Sequence, residues 1–226
     1  LNLYHMNYKD QLVPTGEMKL DKPITRNFDK SYRMGVELSA AWMPVDWFRW
    51  DANATFSKNR VKDVTVKLTD GTVYTIAGES QLAFSPNTVF NNVFTFDKAG
   101  FRGMVMSHFV GEQNLTNTGF KTMQTKDAGG NMVNDLISLK QYFTTDIDLS
   151  YTFSLKALAL KEATIGLTLY NLFSSKYDNN GWAAPQYRLD GSKLVAENTW
   201  GTRDSDAAGF APSAPFHFMA RLAVTF

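Results

Sequence analysis

The sequence predicts an all-β chain whose antiparallel, up-and-down strands form the wall of a transmembrane β-barrel. Three observations carry this: two-residue alternation in the strand-like runs, an aromatic residue at the very carboxylate, and connections that are alternately short and long. The last eleven residues, FHFMARLAVTF, put Phe216, Phe218, Ala220, Leu222, Val224 and Phe226 on one face and His217, Met219, Arg221, Ala223 and Thr225 on the other. Side chains of a strand alternate between faces, so one row can meet lipid while the other meets a polar interior. A soluble sandwich tolerates the same alternation but has no reason to end on Phe226.

About eight strands are expected, near residues 1–13, 28–42, 47–61, 85–97, 100–112, 139–153, 162–174 and 214–226. The first opens on Leu1 in mid-strand, without a charged leader, so Leu1 reads as the cut end of something longer. In the second, Tyr32, Met34, Val36, Leu38, Ala40 and Trp42 point outward while Arg33, Glu37 and Ser39 point inward. The third opposes Phe48, Trp50, Ala52, Ala54 and Phe56 to Arg49, Asp51, Asn53, Thr55 and Ser57. The fourth and fifth alternate poorly, with Asn91 beside Asn92 and with Arg102 and His108 hard to place, so their faces stay open. The sixth sets Phe143, Thr145, Ile147, Leu149, Tyr151 and Phe153 against Thr144, Asp146, Asp148, Ser150 and Thr152. An Arg or Lys on the lipid face near the midplane costs about 2–4 kcal/mol, which is why the charges segregate. Helical periodicity is nearly absent; a short KALALKEA stretch from Lys156 is ambiguous.

Connections near 43–46, 97–100 and 154–161 are short, whereas those near 14–27, 62–84, 113–138 and 175–213 are long and rich in Gly, Asn, Asp, Thr and Pro. Tight periplasmic turns alternating with long external loops produce this register. Trp42, Trp47, Phe96, Phe101, Phe153 and Phe226 then fall near the short turns. Tyr8, Phe28, Phe84, Tyr142, Phe173 and Phe216 fall near the long loops, giving two aromatic girdles.

Composition narrows the function classes. No run approaches the roughly 18–20 apolar residues of a spanning helix, so a membrane location requires a closed barrel. A net charge of +1 argues against general nucleic-acid binding, and zero Cys excludes disulfides and thiolate chemistry. His5, His108 and His217 are isolated, without a partner at zinc-like spacing, so no metal or other cofactor is expected. The DSDAAG segment from Asp204 fails as a calcium loop, with Ala208 at its fifth position and Pro215 at its twelfth. YDNNG, from Tyr177 to Gly181, reads as turn chemistry. No Gly-x-Ser-x-Gly elbow or phosphate-binding loop occurs, so catalysis is not expected; the one enzymatic alternative is a lipid-hydrolysing barrel using His217.

NLFSSKYDNNGW, from Asn171 to Trp182, resembles the segment that ends the penultimate strand of TonB-dependent outer-membrane receptors. SYRMGVELSAAWMPVDWFRWDANATFSKNRVKD, FSPNTVFNN, YFTTDIDLSYTF and FAPSAPFHFMARLAVTF resemble further blocks of that family, in the same order. The resemblance implies that residues 1–226 are the C-terminal part of a barrel of about 22 strands, without the plug domain through which TonB acts. It implies import of a scarce nutrient such as an iron-siderophore, haem, cobalamin or an oligosaccharide, across the outer membrane of a Gram-negative cell. Its partners would be outer-membrane lipid and the barrel-assembly machinery, which is thought to capture an aromatic terminus such as Phe226 by strand addition. Arg33, Glu37, Arg49, Asp51, Asp146, Asp148, His217 and Arg221 are the lumen-facing candidates. They serve plug contact or wetting, or else form a solvated wall. Trp182, Tyr187, Trp200 and Phe210 are candidates for ligand stacking in the loops, or for loop packing. Two alternatives stand beside this reading: a complete eight-stranded barrel acting as anchor, adhesin or narrow pore, and a soluble β-sandwich binding module.

Overall fold

A computed structural model describes residues 1–19, 22–154, 161–202 and 207–226, with the backbone alone for 14–19, 22, 23 and 199–202. No helix occurs among the described residues. Eight strands lie side by side in chain order: β1 (Asn2–Tyr8), β2 (Ser31–Val45), β3 (Phe48–Lys67), β4 (Thr88–Lys98), β5 (Phe101–Val110), β6 (Tyr142–Ser154), β7 (Glu162–Tyr170) and β8 (His217–Thr225). Each pairs antiparallel with its neighbours. The wall is therefore an up-and-down meander. It is open: β1 and β8 are its two edges and do not pair with each other, so the eight strands do not close into a barrel on their own. It is also one continuous sheet rather than the two facing sheets of a sandwich.

Most strand boundaries fall within three residues of expectation. β1 stops at Tyr8 because Asp10 takes a left-handed φ of 52°, and a separate hairpin (Gln11–Lys19 with Lys22–Phe28) follows. The first short turn lies at Asp46–Trp47, since Met43, Pro44 and Val45 still belong to β2. The β4–β5 turn uses Ala99 (φ 53°) and Gly100 (φ 83°), the paired left-handed conformations of a tight hairpin. A Cβ on Gly100 would lie 2.4 Å from the Thr152 carbonyl oxygen, so glycine is required there. Most of the 154–161 connection, with the KALALKEA ambiguity, lies outside the described residues.

Register assigns every face. Phe48, Trp50 and Ala52 of β3 stand level with Phe96, Phe94 and Asn92 of β4, and Phe94 and Phe96 with Val105 and Gly103 of β5. Leu149 and Tyr151 of β6 lie beside Gly103 and Phe101, and Ile165 of β7 beside Leu222 of β8. This apolar face exposes Leu38, Trp42, Phe56, Phe101, Phe143, Ile165, Phe218 and Leu222. The two undecided strands now resolve: Asn91 and His108 share the polar face with Asn53, while Asn92 lies on the apolar face and accepts a hydrogen bond from the Trp50 indole. Pairing with an indole N–H lets an amide sit in an apolar row.

The long connections are not irregular. Beyond the barrel wall they build a four-stranded sheet in the order Met132–Leu136, Thr122–Lys126, Lys193–Thr202, Gln186–Asp190, with further two-stranded pairs. The YDNNG segment is part of the strand Asp178–Ala183, not a turn. Two buried cores hold this head together: Val66, Leu68, Leu115, Met123, Ile137, Leu139 and Tyr187 in one, Val13, Phe28, Val61, Val64 and Leu82 in the other. β3 reaches both because it outgrows the wall, its lower half pairing with β4 and its upper half with the strand Val73–Gln81. At Asp63 (φ 53°) the ladder slips by one residue against that strand, with Asp63 Oδ1 accepting from the Gly78 amide at 3.0 Å. The bulge reverses the alternation, which places Val61 and Val64 in the same core.

Two expected girdles are thereby uneven. Near the short turns, Trp47 stacks with Phe96 at 6.5 Å, Trp42 meets Phe48 edge-on at 6.4 Å, and Tyr151 stacks with Phe153 at 6.1 Å. Near the loops, Phe84, Phe173 and Phe216 are exposed, but Phe28 is buried in the head core. Tyr8 and Tyr142 fall on the polar face, in register with Ser31 and Val110. Both strands begin or end one residue away from the phase a girdle needs, so their terminal aromatics turn inward.

Candidate functional site

The polar face and the loop cleft above it form the candidate site. Its strongest polar group spans β6, β7 and β8. Asp148 accepts two bonds from the Arg221 guanidinium, at 2.7 and 2.8 Å, and one from the Thr168 hydroxyl at 2.6 Å. Arg221 reaches across the intervening strand because residue 166 is glycine; a Cβ there would lie 2.5 Å from Arg221 Nε. A bidentate guanidinium–carboxylate pair of this kind locks both side chains against the wall.

Asp146, two residues earlier on the same face, accepts from the Asn171 amide at 2.7 Å. Asn171 has a φ of 47° and is buried, and its side chain donates to the Ser175 and Ala214 carbonyls at 2.9 and 3.1 Å while accepting from the Ser175 amide at 2.9 Å. The Asn-Leu-Phe motif thus has a physical cause: one asparagine tolerates the left-handed turn and ties the long loop to the entry of β8.

The other lumen-facing candidates are local. Arg49 and Asp51 pair with each other along β3 at 2.6–2.7 Å, Glu37 accepts from Asn2 at 3.0 Å, and the Arg33 guanidinium lies 5.7 Å from the Tyr8 ring. His217 stacks on Tyr170 at 4.8 Å, with Nδ1 2.9 Å from the Pro215 carbonyl oxygen. The wall brings together Asp148 with Arg221 and Arg49 with Asp51, and leaves Arg33, Glu37 and His217 apart.

Of the loop aromatics, Phe210 and Trp182 are about 40% exposed. Tyr187 is 6% exposed, with its ring in the head core and its hydroxyl 3.3 Å from Thr118 Oγ1. It is placed for packing, because strand pairing at Gln186–Asp190 turns it toward Met123 and Ile137. The side chain of Trp200 lies outside the described residues, as do Asp204 and Asp206. Phe226 is 72% exposed at the end of the apolar row. Among the described residues, no three His, Asp or Glu side chains are grouped as a metal would need.

Sequence reasoning missed the cleft itself. It measures about 980 Å³ and is lined by Lys140, Lys176, Tyr177, Asp178, Phe210 and Asp135 among others. Tyr177 stacks on Tyr142 at 4.0 Å, which joins the cleft to the polar face of the wall. Tyr177 was visible in the sequence only as part of a turn-like segment, and nothing local marks it as the partner of a tyrosine 35 residues earlier.

The chain matches the family model described as "TonB dependent receptor-like, beta-barrel" over residues 1–172. Curated protein sequences yield no match. Among solved structures it resembles the ferric yersiniabactin uptake receptor FyuA of Yersinia pestis, with a TM-score of 0.55 at 16% identity, covering 99% of this chain and 27% of that one. It resembles the ferric-catecholate import receptor Fiu of E. coli K12 with a TM-score of 0.55 at 17% identity, covering 97% and 24%. For the ferric preacinetobactin receptor BauA of Acinetobacter baumannii the TM-score is 0.52 at 13% identity, covering 98% and 26%. The chain spans about a quarter of the length of each of these structures. With the family model covering most of its length and the same wall in solved receptors, the chain belongs to the TonB-dependent receptor β-barrel family.

Proposed function

We propose that this chain supplies lumenal wall and extracellular loops to an outer-membrane importer that takes up a scarce nutrient with energy delivered through TonB. The reading rests above all on the segregated wall: a continuous exposed apolar face opposite a charged face. Open edges at β1 and β8 carry unpaired backbone groups that hydrocarbon cannot satisfy, so the reading places further barrel strands on both sides and the TonB-engaging plug elsewhere in the receptor. The apolar face meets lipid, the loop end faces outward, and the Asp46–Trp47 and Ala99–Gly100 turns face the periplasm.

Ligand is held in the cleft, with Phe210 and Tyr177 as stacking surfaces and Lys140 and Lys176 as cationic donors. A ferric chelate suits that mixture of aromatic and cationic groups, and the similar structures are named as ferric-chelate receptors. The wall charges orient the pore and contact the plug; none is assigned a catalytic step. The full receptor should be tested in two ways. Single cysteines at Gly129 and Asp190 should react with an impermeant maleimide on intact cells, while one at Lys98 should not; labelling at Lys98 alone would invert the topology. Phe210→Ala combined with Tyr177→Ala should lower ligand binding about tenfold at unchanged outer-membrane level. Unaltered binding would move the ligand away from this cleft.

A further inference from the structure

The outward row of β3 changes character abruptly. Phe48, Trp50, Ala52, Ala54 and Phe56 are followed in the same row by Lys58, Arg60 and Lys62. Ten residues separate Phe48 from Lys58. At about 3.3 Å per residue and a tilt near 40°, they climb about 25 Å, the height of the apolar band of an outer-membrane barrel. The cations therefore stand at the upper rim of that band, pointing toward lipid.

They are organised rather than scattered. Glu79 of the neighbouring strand lies 3.0 Å from Lys58 Nζ and 3.6 Å from Lys62 Nζ, and accepts from the Tyr32 hydroxyl at 2.8 Å. Both ammonium groups also sit over the Tyr32 ring, 5.6 and 5.7 Å from its centre. One carboxylate and one ring thus hold two lysines side by side, both about half exposed, and the cluster keeps a cationic surplus beside Arg60. Elsewhere the loop ends of the outward rows carry Phe90, Phe109, Phe143, Leu169 and Phe218, so the charge gathers on β3 and on Lys30, whose carbonyl accepts from the Lys62 amide.

We propose that Lys58 and Lys62, positioned by Tyr32 and Glu79, together with Arg60 between them in the row, form a site on the outer wall for the phosphate of a phosphorylated glycolipid of the outer leaflet. An anionic headgroup at this height meets three cations while its chains lie along Leu38, Phe56 and their neighbours. The cations gain a partner that water at a crowded lipid rim supplies poorly. The inference rests on the membrane orientation given above.

The test uses the full receptor, extracted from outer membranes into mild detergent, with retained glycolipid counted by native mass spectrometry. Lys58→Gln with Lys62→Gln should lower retention about 30-fold, each Lys contributing about fivefold at an anionic surface. Glu79→Gln should keep or raise retention, because it removes the opposing charge and keeps a polar partner. Lys98→Gln, at the opposite rim, should change nothing. In nanodiscs, enzymatically dephosphorylated glycolipid should bind as weakly to the native receptor as intact glycolipid does to the double variant. Full retention by a double variant that still shows heat-modifiable mobility overturns the site while leaving the barrel intact. Loss of retention in Glu79→Gln overturns it too, as does complete displacement by millimolar inorganic phosphate. A native receptor absent from the outer membrane overturns the orientation and the site together.

Discussion

Single residues hold the connections to the wall. Asn171 satisfies the Ser175 and Ala214 carbonyls and the Ser175 amide from a buried position. Asn171→Ala removes all three partners and should destabilise the loop by about 2–3 kcal/mol, at the usual cost of stranded buried polar groups. Protease nicking between 171 and 216 should increase, and Asn171→Asp, which keeps only the acceptor, should fall between native and Ala. The Asp70 turn offers a pH-dependent case. Thr72 donates its hydroxyl and amide to Asp70 Oδ1 at 2.7 and 2.8 Å, and these bonds hold the Asp70 carboxyl below its ordinary range. A lowered folded value means that the turn's stabilisation is complete above the unfolded value of about 3.9 and is lost as pH falls through the folded one. Protection of the Thr72 amide should therefore persist at pH 5 and fall on acidification, at a lower pH than an ordinary carboxylate titrates. Asp70→Asn should flatten the dependence, and an equal loss of protection in that variant would contradict this origin.

At the level of elements, the bulge at Asp63 decides how β3 serves two environments. Below it the outward row is apolar from Phe48 to Phe56 and cationic from Lys58 to Lys62, while the polar face holds Arg49 and Asp51; above it Val64, Val66 and Leu68 turn into the head cores. Inserting one alanine between Asp63 and Val64 swings that triad to the opposite face, since a one-residue slip reverses every side chain. The insertion variant should still reach the membrane and show heat-modifiable mobility, yet its loops should be cleaved at least tenfold faster by added protease on intact cells. Equal cleavage would mean that the head is held without that triad. The same logic explains why β4 and β5 resisted assignment from sequence: Asn92 breaks the pattern locally, and only its neighbour across the ladder, Trp50, makes the break tolerable.

For the molecule as a whole, the outcome turns on the edges. β8 presents an unpaired side and ends beside Phe226, which is largely exposed at the foot of the apolar row. In the proposed orientation, replacing Phe226 by Lys should reduce outer-membrane levels far more than Thr225→Lys, because Phe226 would contribute about 2 kcal/mol of apolar burial at the interface while Thr225 would face the lumen. Fractionation with heat-modifiable gel mobility measures both; equal levels would leave assembly to the strand alone. The open sheet also removes the small closed barrel as an architecture for these eight strands, since their two edge strands do not meet.

Alternation, turn chemistry and loop length are local properties, so the sequence by itself determined the all-β class, the eight wall strands, their order, and the faces of β2, β3, β6 and β8. The Asp148–Arg221 pair was legible as two inward charges but not as partners, because the contact crosses β7 and depends on Gly166 having no side chain. Tertiary structure alone decided that the long loops form strands with cores of their own, that Tyr187 and Phe28 are buried in them, and that Tyr142 meets Tyr177 over a cleft. Those outcomes arise from pairing between segments far apart in the chain, and a two-residue period carries no information about which distant strand supplies the next neighbour.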